Sequence, residues 1–149
     1  MYYLGNELNK SAFEYNKAVH PILTSICSSL FSNLNIKHLR YMRIFYDYSY
    51  LSLGTNLEYA QFYLGNIKNP GKIFTTPLIT PQYRKFSHFL WPNNLSKEEK
   101  DPLLNALYDF NIWNGLSICR RQENYVETWS FASSKDSPLM NQFYINNIH

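Results

Sequence analysis

At 149 residues, with 45% hydrophobic and 17% aromatic content, the chain is long enough to bury a core without disulfide or metal staples and too apolar for a disordered segment. Its formal net charge of +3 is scattered, with Arg84-Lys85 and Arg120-Arg121 the only adjacent basic pairs, which is not the concentrated face of a nucleic-acid binder. No apolar run approaches the ~20 residues of a membrane span, and the N-terminus lacks the basic start and apolar run of a signal peptide. The expectation is therefore one cytoplasmic domain over residues 1–149 with no membrane partner.

Taken in chain order, Ser11-Ala12-Phe13-Glu14 has the form of a capping box and predicts a helix start. Pro21 interrupts the pattern, and a helix start or kink there fits its missing N–H. Beyond it Ile22, Ile26 and Leu30, with Leu23 and Cys27 beside them, form a stripe expected to face a core. Leu39 to Tyr46 is dense in β-formers and reads as a central strand covered on both sides. Asp47-Tyr48 turns the chain into a second strand, Ser49 to Gly54. Asn56 caps a short helix through Tyr63, and Gly65 to Pro81, with its prolines, glycines and asparagines, is expected to be irregular. A short strand follows at Phe86 to Trp91. Asp101-Pro102 places a capping acid before a proline at the first helical position, and Leu103, Leu104, Leu107 and Phe110 supply the apolar face.

The strongest local signal comes next. Gly115-Leu116-Ser117-Ile118-Cys119-Arg120-Arg121 and Tyr125 to Ser133 read as a β-hairpin with the polar tip Gln122-Glu123-Asn124. Alternation divides the second strand into a bulky face, Tyr125, Glu127, Trp129 and Phe131, and a small one, Val126, Thr128, Ser130 and Ala132. A bulky face packs against a helix; a small, hydroxyl-bearing one leaves room beside the sheet. Ser137-Pro138 opens a last helix with Leu139, Phe143 and Tyr144. Its periodicity persists through Asn146-Asn147-Ile148-His149 without a C-cap, so a continuation beyond this chain is expected. The order predicts an α+β fold, a roughly five-stranded antiparallel sheet with helices on both faces, an α-β-α sandwich laid out like PAS and GAF sensor domains.

Catalytic chemistry is sparse. His20, His38, His88 and His149 are far apart, with no helical pair at metal-ligand spacing, so no metal or other cofactor is expected. There is no nucleophile elbow, phosphate-binding glycine loop or Cys-x-x-Cys. Glu98-Glu99 point in different directions on a helix and read as a solvated face rather than a dyad. Cys27 and Cys119 read as buried, reduced thiols. Nothing here predicts an enzyme. Thirteen tyrosines and ten phenylalanines fit a packed core, a lined cavity or an interface alike.

The hairpin, through Gly115-Leu116-Ser117-Ile118 and Ser130-Phe131-Ala132-Ser133, resembles the C-terminal part of the autoinducer-binding domain of LuxR-type transcription regulators. The likeness extends weakly upstream. Asn56 to Tyr63 resembles the family's short pocket helix, on which Tyr59 and Tyr63 share a face, and Phe86 to Trp91 resembles its strand ending in a pocket tryptophan. What the resemblance implies is a sensory domain that binds a small, partly apolar signal molecule through Tyr59, Tyr63, Asn69, Trp91, Thr128 and Ser130. Two positions depart from the family: Tyr59 stands where a tryptophan binds the lactone carbonyl, and Lys72 where an aspartate binds the ligand amide, Asn69 being the nearest similar side chain. The family's helix-turn-helix does not fit within this chain, so DNA would be reached only through a further domain. The other reading is an orphan interaction module with a filled pocket, working as a homodimer.

Overall fold

Burial of polar rather than apolar side chains decides how the first helix lies. In the computed structural model, which describes residues 7–47, 49–66, 85–91 and 102–148, helix α1 runs unbroken from Glu7 to Asn33. It is under way before the expected start at Ser11, and it continues through Pro21. Its inward positions are Asn9, Phe13, Asn16 and Cys27, with His20, Leu23 and Leu30 half-buried, in steps of three and four. The stripe expected inside is rotated outward, leaving Ile22 64% and Ile26 72% exposed. Directional bonds fix that rotation. Asn9 Nδ2 donates to the Leu64 carbonyl at 2.7 Å, Asn16 Oδ1 accepts the Gly54 N–H at 2.9 Å, and His20 Nε2 lies 3.0 Å from the Thr55 carbonyl. A buried asparagine without such partners would cost ~1–3 kcal/mol, of the same order as the ~1.5–3 kcal/mol an isoleucine forfeits on full exposure, and here three such directional contacts act together.

Strands β1 (His38–Phe45) and β2 (Tyr50–Gly54) form the first hairpin. Asp47 Oδ1 shapes its turn, accepting the Ser49 N–H at 2.9 Å and the Ser49 hydroxyl at 2.6 Å. Helix α2 (Leu57–Asn66) starts at the expected cap, Asn56 Oδ1 accepting the Tyr59 N–H at 2.8 Å, and runs three residues past Tyr63. Then follow β3 (Phe86–Leu90), α3 (Pro102–Asp109), β4 (Trp113–Arg121), β5 (Tyr125–Ser133) and α4 (Met140–Asn147). Most of the irregular stretch expected from Gly65 to Pro81, including Asn69 and Lys72, lies outside the described residues, as do Glu98, Glu99 and Asp101. Among the described residues no helix is long and apolar enough to cross a membrane.

All five strands belong to one antiparallel sheet in the order β2-β1-β5-β4-β3. The fold is α+β with an open sheet. Register and alternation give the sheet two unlike faces. On one lie Arg40, Met42, Ile44, Val126, Thr128, Ser130 and Ala132. Met42, Ile44 and Ala132 pack in a core with Ala12 and Phe13 of α1, Tyr59, Tyr63 and Leu64 of α2, and Ala106 of α3. On the other, Leu116, Ile118 and Phe131 pack against Met140, Phe143 and Tyr144 of α4. Helices therefore cover both faces. β1 differs from the expected apolar strand in one respect: it carries an arginine on each face, Arg40 and Arg43.

Candidate functional site

Among the described residues, the hydroxyl-bearing face of the β4–β5 hairpin is where the sequence-predicted positions meet. Ser130 lies opposite Ser117 in the register, and Thr128 opposite Cys119. These are short side chains in the middle of the sheet, and β5 is its central strand. Val126 and Ala132, at the two ends of the same face, are each 1% exposed, whereas Thr128 and Ser130 between them remain partly accessible. The ends of this face are more deeply buried than its centre.

Trp91 closes one side. The Trp91 N–H of the backbone donates to the Gly115 carbonyl at 2.9 Å, and its indole Nε1–H donates to Ser117 Oγ at 2.9 Å. Ser117 Oγ is also 2.9 Å from Ser130 Oγ. The indole lies directly on Gly115: a Cβ at that position would sit 2.3 Å from Trp91 Cδ2. Glycine is needed here for close approach, and the bulge between Trp113 and Leu116, with Asn114 at φ 48°, aims this part of β4 under the ring.

Tyr59 and Tyr63 come from α2 onto the same face as Trp91 and belong to the same core. Tyr59 is 6% exposed and Tyr63 fully buried. Tyr59 makes an edge contact with Phe110 at 5.6 Å between ring centroids and stacks with Phe62 at 6.4 Å. Burial pushes the Tyr63 phenol above its ordinary pKa, against the pull of nearby Arg40. The five described positions, Tyr59, Tyr63, Trp91, Thr128 and Ser130, thus share one side of the sheet; Asn69 falls outside the described residues.

Three residues of the sheet acquire contacts that sequence reasoning did not assign them. Ser117 links Trp91 to Ser130. Arg40 projects from β1 between Gly54 and Ser130, its guanidinium carbon 3.6 Å from the Tyr63 ring centroid and its Nη2 3.5 Å from Ser52 Oγ. The third, Glu127, lies on the opposite face, where it sits 2% exposed beneath two arginines. Tyr41 donates to its Oε1 at 2.6 Å, Arg43 Nη2 to the same oxygen at 2.7 Å, and Arg120 Nε to Oε2 at 2.9 Å, with Arg120 Nη2 also paired to Oε2. Burial by itself would raise the Glu127 pKa; the donors outweigh it and hold the carboxyl below the usual range. Burial and the bond to Glu127 push Tyr41 up to about 12. The arginines also lie over aromatic rings, Arg43 4.5 Å from the Tyr125 centroid and Arg120 5.3 Å from that of Trp129. Such a closed ionic layer has structural work to do, and its carboxylate has no donor-free oxygen for acid–base chemistry.

Cys27 and Cys119 are each 3% exposed. Burial pushes both thiols up, in Cys119 against hydrogen bonds with Thr128 and Ser87, so neither is poised as a thiolate. Among the described residues no group of three His, Cys, Asp or Glu side chains could hold a metal ion. A separate open groove between the end of α1 and α4, lined in part by Phe31, Leu34, Lys37, Leu139 and Phe143, contains none of the predicted site residues. No protein-family model matches the chain, and no curated protein matches it.

Proposed function

We propose that the chain is a ligand-sensing domain of a bacterial transcription regulator, taking a small, partly apolar molecule between the hydroxyl face of the β4–β5 hairpin and helices α1 to α3. The observation that carries this reading is the accessibility of Thr128 and Ser130. They lie in the central strand, on a face whose ends are sealed, beside an aromatic wall of Tyr59, Tyr63 and Trp91. Apolar walls with a few convergent polar groups are the usual make-up of a small-molecule site. The resemblance of the hairpin to LuxR-type sensory domains supports the same conclusion. A ligand that binds one conformation better than another shifts the balance between them, and through it the activity of an attached DNA-binding domain.

The test is native mass spectrometry of the chain purified from cells, followed by solvent extraction. A bound small molecule that leaves on denaturation is the expected result; the bare chain mass from several expression hosts overturns it. A second reading, a homodimeric interaction module, draws on the outer strand β3, where Phe86 is 57% and Phe89 48% exposed. A bare chain that sediments as a dimer, and becomes monomeric on Phe86→Ser, would favour that reading.

A further inference from the structure

We propose that the molecule taken up beside the hairpin carries a carboxylate, and that Arg40 binds it. The inference rests on the reading of that space as a ligand site and adds the chemical class of the ligand. The register makes a row across the sheet of Gly54, Arg40, Ser130 and Ser117. Three of the four side chains are hydrogen or hydroxymethyl, so the one long residue lies in a trough of small ones. Its guanidinium carbon lies 3.6 Å from the centroid of the buried Tyr63 ring, over the ring face, a contact that restrains the head group.

A guanidinium has five N–H donors; here Nη2 meets Ser52 Oγ at 3.5 Å, the limit of a hydrogen bond, and the group also hydrogen-bonds the Tyr63 phenol, both neutral partners. Among the described residues no carboxylate pairs with Arg40. The arginine–carboxylate pairs there both go to Glu127, on the other face. A cation held against a protein interior ordinarily has an anion beside it.

The hydroxyls point to the same class of ligand. Trp91 Nε1–H can only donate, so Ser117 Oγ accepts from it. One bond joins Ser117 and Ser130, and two hydroxyl hydrogens are available to make it. Whichever serine donates, one hydrogen is left for a further acceptor. Ser130 is the cross-strand neighbour of Arg40, so the spare hydroxyl hydrogen, on Ser130 or on Ser117 beside it, belongs to the same row of the sheet as the arginine, whose guanidinium leans toward Tyr63 and Ser52. A carboxylate has two acceptor oxygens in the geometry the fork matches.

Calorimetric titration of the full 149-residue chain tests this, using octanoate against octanamide and 4-phenylbutyrate against 4-phenylbutyramide. Each pair differs only in charge and one acceptor. A charge-assisted bidentate contact predicts that at least one acid binds roughly 10- to 100-fold tighter than its amide. Arg40→Gln should bring that ratio to about 2-fold or less, the amide's own affinity being little changed. Should R40Q fail to fold, Arg40→Lys keeps the charge and loses the fork, and an intermediate ratio is expected. Acid and amide binding alike, or an acid preference undiminished in Arg40→Gln or, where that variant does not fold, in Arg40→Lys, would overturn the carboxylate while leaving the ligand-site reading in place. So would a neutral molecule co-purifying from cells while none of the four probes binds. No co-purified molecule and no probe binding would overturn both.

Discussion

Replacing Gly115 with alanine isolates the contact on which the candidate site is built. The added Cβ would lie 2.3, 2.4 and 2.6 Å from Cδ2, Cε3 and Cε2 of Trp91. Carbon atoms rest at about 3.5–4.0 Å, so the overlap exceeds an ångström against three ring atoms. Backbone conformation adds nothing to the cost, because no described glycine has a positive φ. The ring cannot slide away freely, being tied by its backbone N–H to Gly115 and by its indole N–H to Ser117. Either the strands part, at the ~1–3 kcal/mol typical of overpacking, or the indole swings out. The latter loses a hydrogen bond worth ~0.5–1.5 kcal/mol together with part of the ring's burial. Both routes come to about 1–3 kcal/mol before the smaller chain entropy of an unfolded alanine returns ~0.4–1 kcal/mol.

The net expectation is a loss of about 0.5–2 kcal/mol in urea unfolding followed by tryptophan fluorescence. Trp91→Leu removes the obstacle, so G115A should cost little in that background, with a coupling energy of at least ~1 kcal/mol between the two sites. If G115A is as stable as the parent, or gains the increment that chain entropy alone predicts, the indole does not lie on Gly115 and the account of this side of the site fails.

Two further expectations follow from hydrogen bonds that hold the sheet. Glu127→Gln keeps the shape and removes the charge; because Arg43 and Arg120 stay 36% and 35% exposed and can regain water, the loss at neutral pH should be ~1–3 kcal/mol rather than the 3–5 of a fully buried pair. The folded carboxyl titrates below its unfolded value, so its contribution is complete above about pH 4.3 and disappears as pH falls through the folded pKa. Urea unfolding from pH 7 to pH 3 should accordingly show a shallower acid-side decline in E127Q, and parallel curves would refute the assignment. Asn16→Ala leaves the Gly54 N–H without its 2.9 Å acceptor, which predicts a loss of ~1–3 kcal/mol and faster hydrogen exchange at that amide by NMR; unchanged exchange would show that Asn16 does not fix the rotation of α1.

What was legible in the sequence was what neighbouring residues decide among themselves. Asn56 caps α2 and Asp47 shapes the turn between β1 and β2 through bonds spanning two or three residues. The β4–β5 hairpin could be read because alternation and a polar tip are local signals. The rotation of α1 could not, because the bonds that set it reach from Asn9 to Leu64 and from Asn16 to Gly54. An apolar stripe was the stronger local pattern and it lost to three directional contacts. The same limit applies at the site. Tyr59 and Tyr63 share a helix face by spacing alone, but Ser117 acquires its place only when Trp91, 26 residues away, is laid across Gly115. Glu127 was assigned to the right face of its strand, yet its burial depends on Tyr41 and Arg43 arriving from β1.

Strand β1 carries the sharpest contrast in the molecule. Arg40 and Arg43 are three residues apart, so the pleat sends them to opposite faces of the same sheet. The β1–β5 register sets Arg43 directly against Glu127, and β4–β5 pairing sets Arg120 against the same residue. One carboxylate thus serves two arginines on the face that also holds Tyr41 and Trp129, and the cost of burying it is met by the donors around it. The register that completes this layer sets Arg40 against Gly54 and Ser130, neither of which can neutralise it. If burial of apolar surface alone governed position 40, leucine or valine would fill the trough and extend the core of Met42 and Ile44. An arginine there forgoes that stabilisation and brings a permanent charge to the side of the sheet where Thr128 and Ser130 remain accessible. Its placement is intelligible if the charge acts on something that enters from outside. Changing it to leucine should then stabilise the unliganded chain while abolishing carboxylate uptake, the opposite signs that separate a binding residue from a structural one.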